Sequence, residues 1–579
     1  HTCHISQRIR LTDSSETRIL ISNLLENHMS LSPSMILRTL LICSLTLGAK
    51  AQQVYERGTF VSFPAGKHVN HSYYSTWNVY FAVEDGVIVY NHHKGEWLEP
   101  ITASNGLTQY PVLLVWQNAI TQDVWIVTPD YVFVYDELAG WMSRVPLPVD
   151  PNFSGTYDIG VSDTYVIVSA SSPDTAGKYS ALFSKTAGSF ELWGANEDLD
   201  IIWETVEWIH PISPGLNDIY ESLPVQSVTA GSFDSEGKLH LDGHPRNSLG
   251  EVSSLTGERT AGESFLSTYG MGIYHQDIAG GEFSSLPYGL LSPDIMAMDV
   301  INDQLVIGGR AGLTYMDSTA FEYDEAIRDI AFDYSFITDI DVLGNHLLIA
   351  GRGGVFRASL TQRGWDRLIT KKDLTSKRIY SIAAGSGGNL MVATERNAYL
   401  FHESGMILRT LFPIGLDWPV FDIKYEDGQY YLSTYYGLYV YDEVTLGFTL
   451  KVNSSGSTIP ISENSAIDPI YESILVGDKI WASTHRGLMT LDFLTGEGAF
   501  HLSPSAPFKP RGLTATGKSV WIGTDIGLYS FNSKSSSWRH YTVSDGLISN
   551  FVTELITRDA HIWVGTNLGL TRIKWKNLY

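Results

Sequence analysis

Apolar and polar positions along the C-terminal half repeat as one short phrase. Seven segments carry it: LVIGGRAGLTYM from Leu305, LLIAGRGGVFRA from Leu347, LMVATERNAYLF from Leu390, YLSTYYGLYVY from Tyr431, IWASTHRGLMTL from Ile480, VWIGTDIGLYSF from Val520 and IWVGTNLGLTRI from Ile562. Each reads as an apolar strand, a two-residue turn, a glycine and a second apolar strand, which predicts a β-hairpin. The glycines are Gly312, Gly354, Gly437, Gly487, Gly527 and Gly569; Asn397 takes the place in the third copy, as the next residue to tolerate positive φ. The phrase recurs every 40 to 50 residues, the length of one four-stranded propeller blade.

A second element lies between hairpins. Trp538 to Tyr541 leads to Ser544-Asp545-Gly546-Leu547 and then to Phe551, and Trp97 leads likewise to Ser104-Asn105-Gly106-Leu107 and Val112. Phe283 to Leu286 followed by Tyr288-Gly289-Leu290 is a further copy. The expected path is an outer strand, a glycine-fixed turn, then the inner strand of the next blade. A lone blade leaves a sheet face bare, so neighbours have to stack around a ring; an open solenoid would need shorter coils. The expected fold is therefore all-β, with tandem β-propellers: a seven-bladed C-terminal one and an N-terminal one of five to seven blades.

Inner strands are expected near Ile295, Ile337, Ile379, Val420, Ile467, Gly512 and Phe551. Phe283 to Leu286 is expected to supply the outer strand that the last blade lacks, closing the ring. Thr59 to Phe63 is read as an outer strand opening the N-terminal half, before VYFAVEDGVIVY. Copies then weaken at Tyr165, Val225 and Ser267, and Ser171 to Pro224 reads as a long insertion.

Composition fits. The chain has 579 residues, 12% aromatic and 18% charged, with 52 glycines, which suits short strands and tight turns. A net charge of −24 argues against nucleic acid or an anionic membrane surface as the partner. The first residue is His1, so residues 1–34 are expected to be a non-native or untranslated extension. Residues 35–51 read as a signal peptide: a start at Met35 (Met29 is the alternative), Arg38, an apolar run from Thr39 to Leu47, and the cleavage site Ala49-Lys50-Ala51. The mature chain, periplasmic or at the cell surface, would hold residues 52–282 and 283–579 as its two propellers and no membrane-spanning run. Both cysteines, Cys3 and Cys43, precede the cut, so no disulfide or cysteine-bound metal is expected, and no cofactor.

The repeats resemble the two-component-regulator propeller repeat, an apolar–Trp–apolar–Gly–Thr strand followed by x-x-Gly-Leu. Val520 to Leu528 and Ile562 to Leu570 match it closely, and Ile480 to Leu488 matches with Ala482-Ser483. The resemblance covers most of Phe283 to Tyr579 and, more loosely, Thr59 to Trp141. It implies paired propellers of the kind found in periplasmic sensor halves of hybrid histidine kinases and in type IX secretion components. This sequence carries neither a membrane helix and kinase region nor a C-terminal β-sandwich. A truncated sensor or secretion component is therefore one alternative reading.

Propellers host enzymes, sensors and scaffolds alike, so function has to come from a site. The turns before the marker glycines should share one face of the ring. There the sequence places Arg310, Arg352, Arg396, Tyr435, Tyr436, His485 and Arg486, more varied than a hairpin requires. Arginine forks and tyrosine faces suit an oligosaccharide or an anionic small ligand, or another envelope protein. The polar run Asn453 to Ser465 would lie on the same face as a lid, and charged turns serving solubility alone are the plainer reading. No HExxH, P-loop, GxSxG or calcium-loop spacing appears. A single over-long relative of the Ser-x-Asp-x-Gly sialidase box stands at Ser232 to Gly237. Glu395 and Asp525 are the carboxylates that a carbohydrate-active enzyme, the other alternative, would use. Trp481, Trp521 and Trp563 hold equivalent strand positions and are expected in the core.

Overall fold

Alternating Val, Ile, Leu and Tyr positions bury both faces of the strands, and the strands pair into antiparallel sheets of four. The structure is a computed structural model and describes residues 58–578 apart from several stretches, the longest of them 210–230, 324–336 and 453–468. The expected leader, residues 35–51, lies outside the described residues, and no helix among those described is long and apolar enough to cross a membrane.

Among the described residues, seven four-stranded sheets account for the C-terminal half. Their inner strands are Ile295–Ile301, Ile337–Leu343, Ile379–Ala384, Val420–Glu426, Ser473–Val476, Pro510–Thr516 and Val552–Arg558. Each stands beside the next, and the seventh stands beside the first. This is a closed β-propeller. Six of the seven starts fall within two residues of expectation, while Ile467 lies outside the described residues. Trp481, Trp521 and Trp563 are buried between sheets, as their positions implied.

Ring closure differs from the expectation. Ser284–Leu286 pairs with Gly272–Gln276 and is the outer strand of the last N-terminal sheet. The seventh C-terminal sheet is completed by Phe60–Pro64, antiparallel to Gly569–Lys574, with Phe60 opposite Ile573 and Pro64 opposite Gly569. The chain thus lays down one strand of the C-terminal ring, builds the N-terminal sheets, and returns. Either strand has the apolar character an outer position needs. Phe60 and Phe63 find the deeper site, Phe63 against Trp563 with ring centroids 6.1 Å apart. Ser62 fixes the register by donating to the Gly546 carbonyl at 2.8 Å.

The marker glycines are explained by the same outer strands. At Gly569 a Cβ would stand 2.6 Å from the Phe63 carbonyl oxygen, and φ is +147°. Outer-strand carbonyls of Ile369 and His501 press on Gly354 and Gly487 in the same way. Asn397 is not a left-handed substitute, since the described non-glycine residues with positive φ do not include it. Instead its side-chain amide donates to the Phe412 carbonyl and accepts from the Phe412 N–H, both at 3.0 Å. The amide fills the gap that the outer strand closes elsewhere.

The Ser-Asn/Asp-Gly-Leu element becomes a capped 3-10 turn in both places. Asn105 and Asp545 accept from the N–H groups of Thr102 and Thr542 at 3.0 and 2.8 Å, and the following Gly106 and Gly546 are left-handed. The two turns pack on each other across Phe60. One apolar cluster runs through this seam, joining Phe81 and Phe265 of the N-terminal sheets to Phe63, Trp563 and Ile295 of the ring. Arg572 reaches Glu99 at 3.0 Å over it.

In the N-terminal half four sheets are described, against the five to seven blades expected; Val225 lies outside the described residues. The first two run Val69–Tyr74 to Glu96–Trp97 and Leu114–Gln117 to Trp141–Pro146. The third has five strands and the fourth six. Part of the expected insertion, Lys178–Ser184 and Phe190–Ala195, supplies regular outer strands of the third sheet. First and fourth sheets meet where Ser72 donates from its N–H and Oγ to Ser254 Oγ. The Glu263 carboxylate bridges the same pair, accepting from Tyr74 Oη at 3.0 Å and lying 2.9 Å from His275 Nε2 and 3.2 Å from His92 Nδ1.

Candidate functional site

The turns that carry the predicted residues are tied down by the chain leading into inner strands. The Trp418 N–H donates to the Arg396 carbonyl at 2.9 Å, and the Phe508 N–H donates to the His485 carbonyl at 3.1 Å. The Tyr435 N–H donates to the Pro419 carbonyl at 3.0 Å. Hairpin turns and inner-strand leads therefore occupy one face of the ring. In the turns of the fourth and seventh sheets a buried threonine, Thr434 or Thr566, donates to the carbonyl of the marker glycine at 2.8 Å, and Thr394 does the same to the Asn397 carbonyl in the third; the first two sheets have Gly309 and Gly351 at that position. Backbone needs are met inside the turn, so the side chains are not needed to hold it.

Those side chains differ in state. Arg310, Arg396, Tyr435 and Arg486 are exposed. Arg310 pairs with Asp294, and Arg486 lies 5.1 Å over the Phe500 ring. Tyr436 is half-buried against Trp418, with centroids 4.3 Å apart, and His485 is also half-buried. Arg352 and the lid segment Asn453 to Ser465 lie outside the described residues. Glu395 and Asp525 sit on turns of the third and sixth sheets, and Asp525 accepts from the Lys509 N–H at 3.0 Å.

The axis of the ring holds a feature the sequence reading missed. A cavity of about 440 Å³ runs along the inner strands, lined by Asp299, Asp339, Asp341, Glu472, Glu554 and the side chain of Lys424. Asp422 lies beside them, its Oδ1 3.5 Å from Lys424 Nζ, while Glu472 Oε1 is 3.7 Å from it. Two of these acids have an evident structural task. An inner strand presents an unpaired edge, and acids on the neighbouring strand supply acceptors for its N–H groups. Asp339 takes the N–H of Ile382 and the hydroxyl of Ser381, both at 2.7 Å, and that of its own neighbour Ile340 at 2.8 Å. Asp341 takes the N–H of Ala384 at 2.6 Å and of Val342 at 2.7 Å.

Six carboxylates around one ammonium raise the cost of ionising them all. Burial pushes Asp299, Asp339 and Asp341 up to about 6, with Lys424 pulling against it, and Glu554 up to about 7. Burial likewise raises Asp422 and Glu472, whereas the carboxylates, Asp422 first, hold Lys424 well above the ordinary lysine range. The Lys424 side chain is 49% exposed, because the cavity it lines is wide enough for water. That water moderates the burial effect. The signal in the sequence was an acid two or four places into an inner strand, as in Ile337-Thr-Asp-Ile-Asp341 and Val552-Thr-Glu554.

No protein-family model matches the chain, and no curated protein does. Among solved structures it is similar to the extracellular domain of the putative hybrid two component system BT4673 from B. thetaiotaomicron, at 14% identity over 87% of this chain and 70% of that one, with a TM-score of 0.41. It is also similar to PorZ, a bacterial surface component of the type-IX secretion system of Porphyromonas gingivalis, at 13% identity over 89% and 87%, with a TM-score of 0.38. BamB from Moraxella catarrhalis aligns at 12% identity over 56% and 98%, with a TM-score of 0.35. The first two come from the settings that the repeat resemblance named. Likeness of this degree carries no functional argument, and the propeller fold rests on the sheets and their register.

Proposed function

We propose that the chain is an exported, non-catalytic β-propeller binding or scaffold protein of the cell envelope. It takes an oligosaccharide, an anionic small ligand or a protein partner on the turn face of its C-terminal ring. The observation that carries this reading is the division of labour in the turns. Backbone hydrogen bonds and buried threonines fix the turns of the third, fourth and fifth sheets, leaving Arg396, Tyr435 and Arg486 exposed, and Arg310, paired with Asp294, is exposed on the same face of an acidic protein. Export rests on the leader pattern at residues 35–51, and the division into residues 52–282 and 283–579 belongs to the same reading, with Phe60–Pro64 counted to the second ring.

A panel of acidic and neutral oligosaccharides, presented to the purified mature chain, tests the proposal for binding and for cleavage together. The expected result is binding without turnover, weakened about tenfold by Arg310→Ala combined with Arg486→Ala. Binding indifferent to that pair would remove the turn face. Cleavage abolished by Glu395→Gln with Asp525→Asn would replace the reading with a carbohydrate-active enzyme.

A further inference from the structure

Inner strands of the C-terminal ring share one irregularity, and it shapes the mouth of the ring on the turn face. Just after the buried residue that opens the strand, the ladder to the second strand skips a position. Thr338, Tyr380, Phe421, Arg511 and Thr553 are skipped in this way. Tyr471 holds the same place in the fifth sheet, between Ile470 and Glu472. A bulge of this kind bends its strand and re-aims a side chain. The residue before the opening one is tied to a turn where Pro419 accepts from the Tyr435 N–H and Arg378 from that of Glu395. The skipped side chains therefore lie at the turn-face end of the strands.

Their chemistry divides the mouth in two. Tyr380, Phe421 and Tyr471, on the adjacent third, fourth and fifth sheets, form a half-exposed aromatic row, with centroids 6.1 Å apart for the first pair and 5.2 Å for the second. Across the ring, the sixth, seventh and second sheets contribute Arg511, Thr553 and Thr338. Arg511 Nε and both threonine hydroxyls are buried and have no hydrogen-bond partner among the described residues. The Arg511 guanidinium lies 4.5 Å over the Phe551 ring, and Asp525 on the turn of its own sheet attracts it without bonding to Nε. Buried donors left this way call for an acceptor, and a guanidinium among them calls for an anionic one.

The aromatic row says what carries the anion. An inorganic ion has no use for it. Sugars stack on open ring faces, whereas Phe421 and Tyr471 lie 24° from parallel and each covers part of the other. Edges and outer faces remain, the surfaces on which a further aromatic side chain packs. Exposed Arg396 and Arg486 stand on the turns outside, where an anionic chain leading to such a group would pass.

We propose that this mouth binds the C-terminus of a partner protein, an acidic extended segment ending in an aromatic residue. The terminal carboxylate accepts from Arg511 and Thr553, and the last side chain packs on Tyr380, Phe421 and Tyr471. Acids before it face Arg396 and Arg486. The mouth opens on the turn face, so the proposal rests on that reading and narrows its ligand to one class.

Fluorescence anisotropy of the mature chain with a labelled hexapeptide tests it, the peptide carrying two aspartates and ending in phenylalanine with a free carboxylate. Its companions are the C-terminal amide, a version ending in glycine, and N-acetylphenylalanine as competitor. Saturable binding at one per chain is expected, weakened at least about tenfold in the amide and in the glycine version, with N-acetylphenylalanine a far weaker competitor. Arg511→Met should bring the acid peptide level with the amide and leave the amide unchanged, a selectivity that misfolding cannot imitate. The proposal fails if no peptide binds, if the amide or the glycine version binds as tightly, or if Arg511→Met weakens acid and amide alike. N-acetylphenylalanine competing as tightly as the peptide would overturn it in favour of a small aromatic acid. Oligosaccharide binding that persists beside any of these failures leaves the turn-face reading standing, whereas failure of peptides and oligosaccharides alike overturns both.

Discussion

The two halves of the molecule solve the same packing problem with different regularity. In the C-terminal ring the glycines of the second, fifth, sixth and seventh sheets are each pressed by an outer-strand carbonyl, and acids on the second sheet's inner strand stitch it to the third's beside it. In the N-terminal half the described sheets carry four, five and six strands, and an inner edge there is bridged by other chemistry. There His71, fully buried on the inner strand of the first sheet, accepts the Val115 N–H on Nδ1 at 3.2 Å. Burial holds its imidazole down at about 4. One ring thus joins neighbouring strands with carboxylates, the other with a neutral histidine. Regular repetition lets one solution recur, whereas the irregular half needs local ones.

The largest test of this contrast is at the strand the two halves share by sequence position but not by sheet. Phe63→Ala should cost about 3–5 kcal/mol, because a buried aromatic leaves a cavity against Trp563. Amide hydrogen exchange should locate the loss in the C-terminal ring, although residue 63 belongs to the N-terminal end of the chain. Loss confined to the N-terminal sheets would contradict the closure.

Acid separates the halves next. An unfolded histidine takes a proton near 6.5 while folded His71 resists until about 4, so its contribution to stability falls as pH drops through that window. Between pH 6.5 and 5 the loss is about 2 kcal/mol, at 1.36 kcal/mol per unit. The ring carboxyls run the other way. Their folded values of about 6 to 7 exceed the unfolded ones, so folded protein binds more protons, and their contribution improves as pH falls from 7 towards 4. Protection factors at pH 7.5 and 5 should therefore diverge, falling in the first N-terminal sheet and rising along the inner strands of the ring. His71→Gln should abolish the first change alone.

Smaller effects refine the repeat itself. Gly569→Ala should cost more than about 1 kcal/mol, since φ is +147° and Phe63 blocks the Cβ. At position 397 the same logic predicts that glycine is no improvement, because Asn397→Gly removes both bonds to Phe412. Thermal melting of the two variants checks the pair. Smallest of all, Arg310→Ala should change stability by under about 1 kcal/mol, its pair with Asp294 being largely exposed. Equilibrium unfolding of that variant separates a binding role from a structural one.

How much of this was legible follows from the kind of signal. The hairpins were, because strand, turn and glycine lie within twelve residues of one another. Closure was not, since Thr59 to Phe63 and Phe283 to Leu286 are equally apolar locally, and only packing against Trp563 and Gly546 separates them. The turn residues were foreseen, though not the hydrogen bonds that hold the turns. The axial acids escaped notice because Asp339, Asp422 and Glu554 look like ordinary polar alternations within separate strands. Their meeting needs seven strands brought round one axis.

The pairing of Phe60–Pro64 with Gly569–Lys574 also sets a clock. A ribosome adding about 5–20 residues per second needs roughly half a minute to a minute and a half to pass from one strand to its partner. Throughout that interval Phe60, Val61 and Phe63 have no sheet to join, and by its end six sheets of the ring stand ready for a seventh. The returning strand thus decides whether Phe60–Pro64 becomes structure or an adhesive edge.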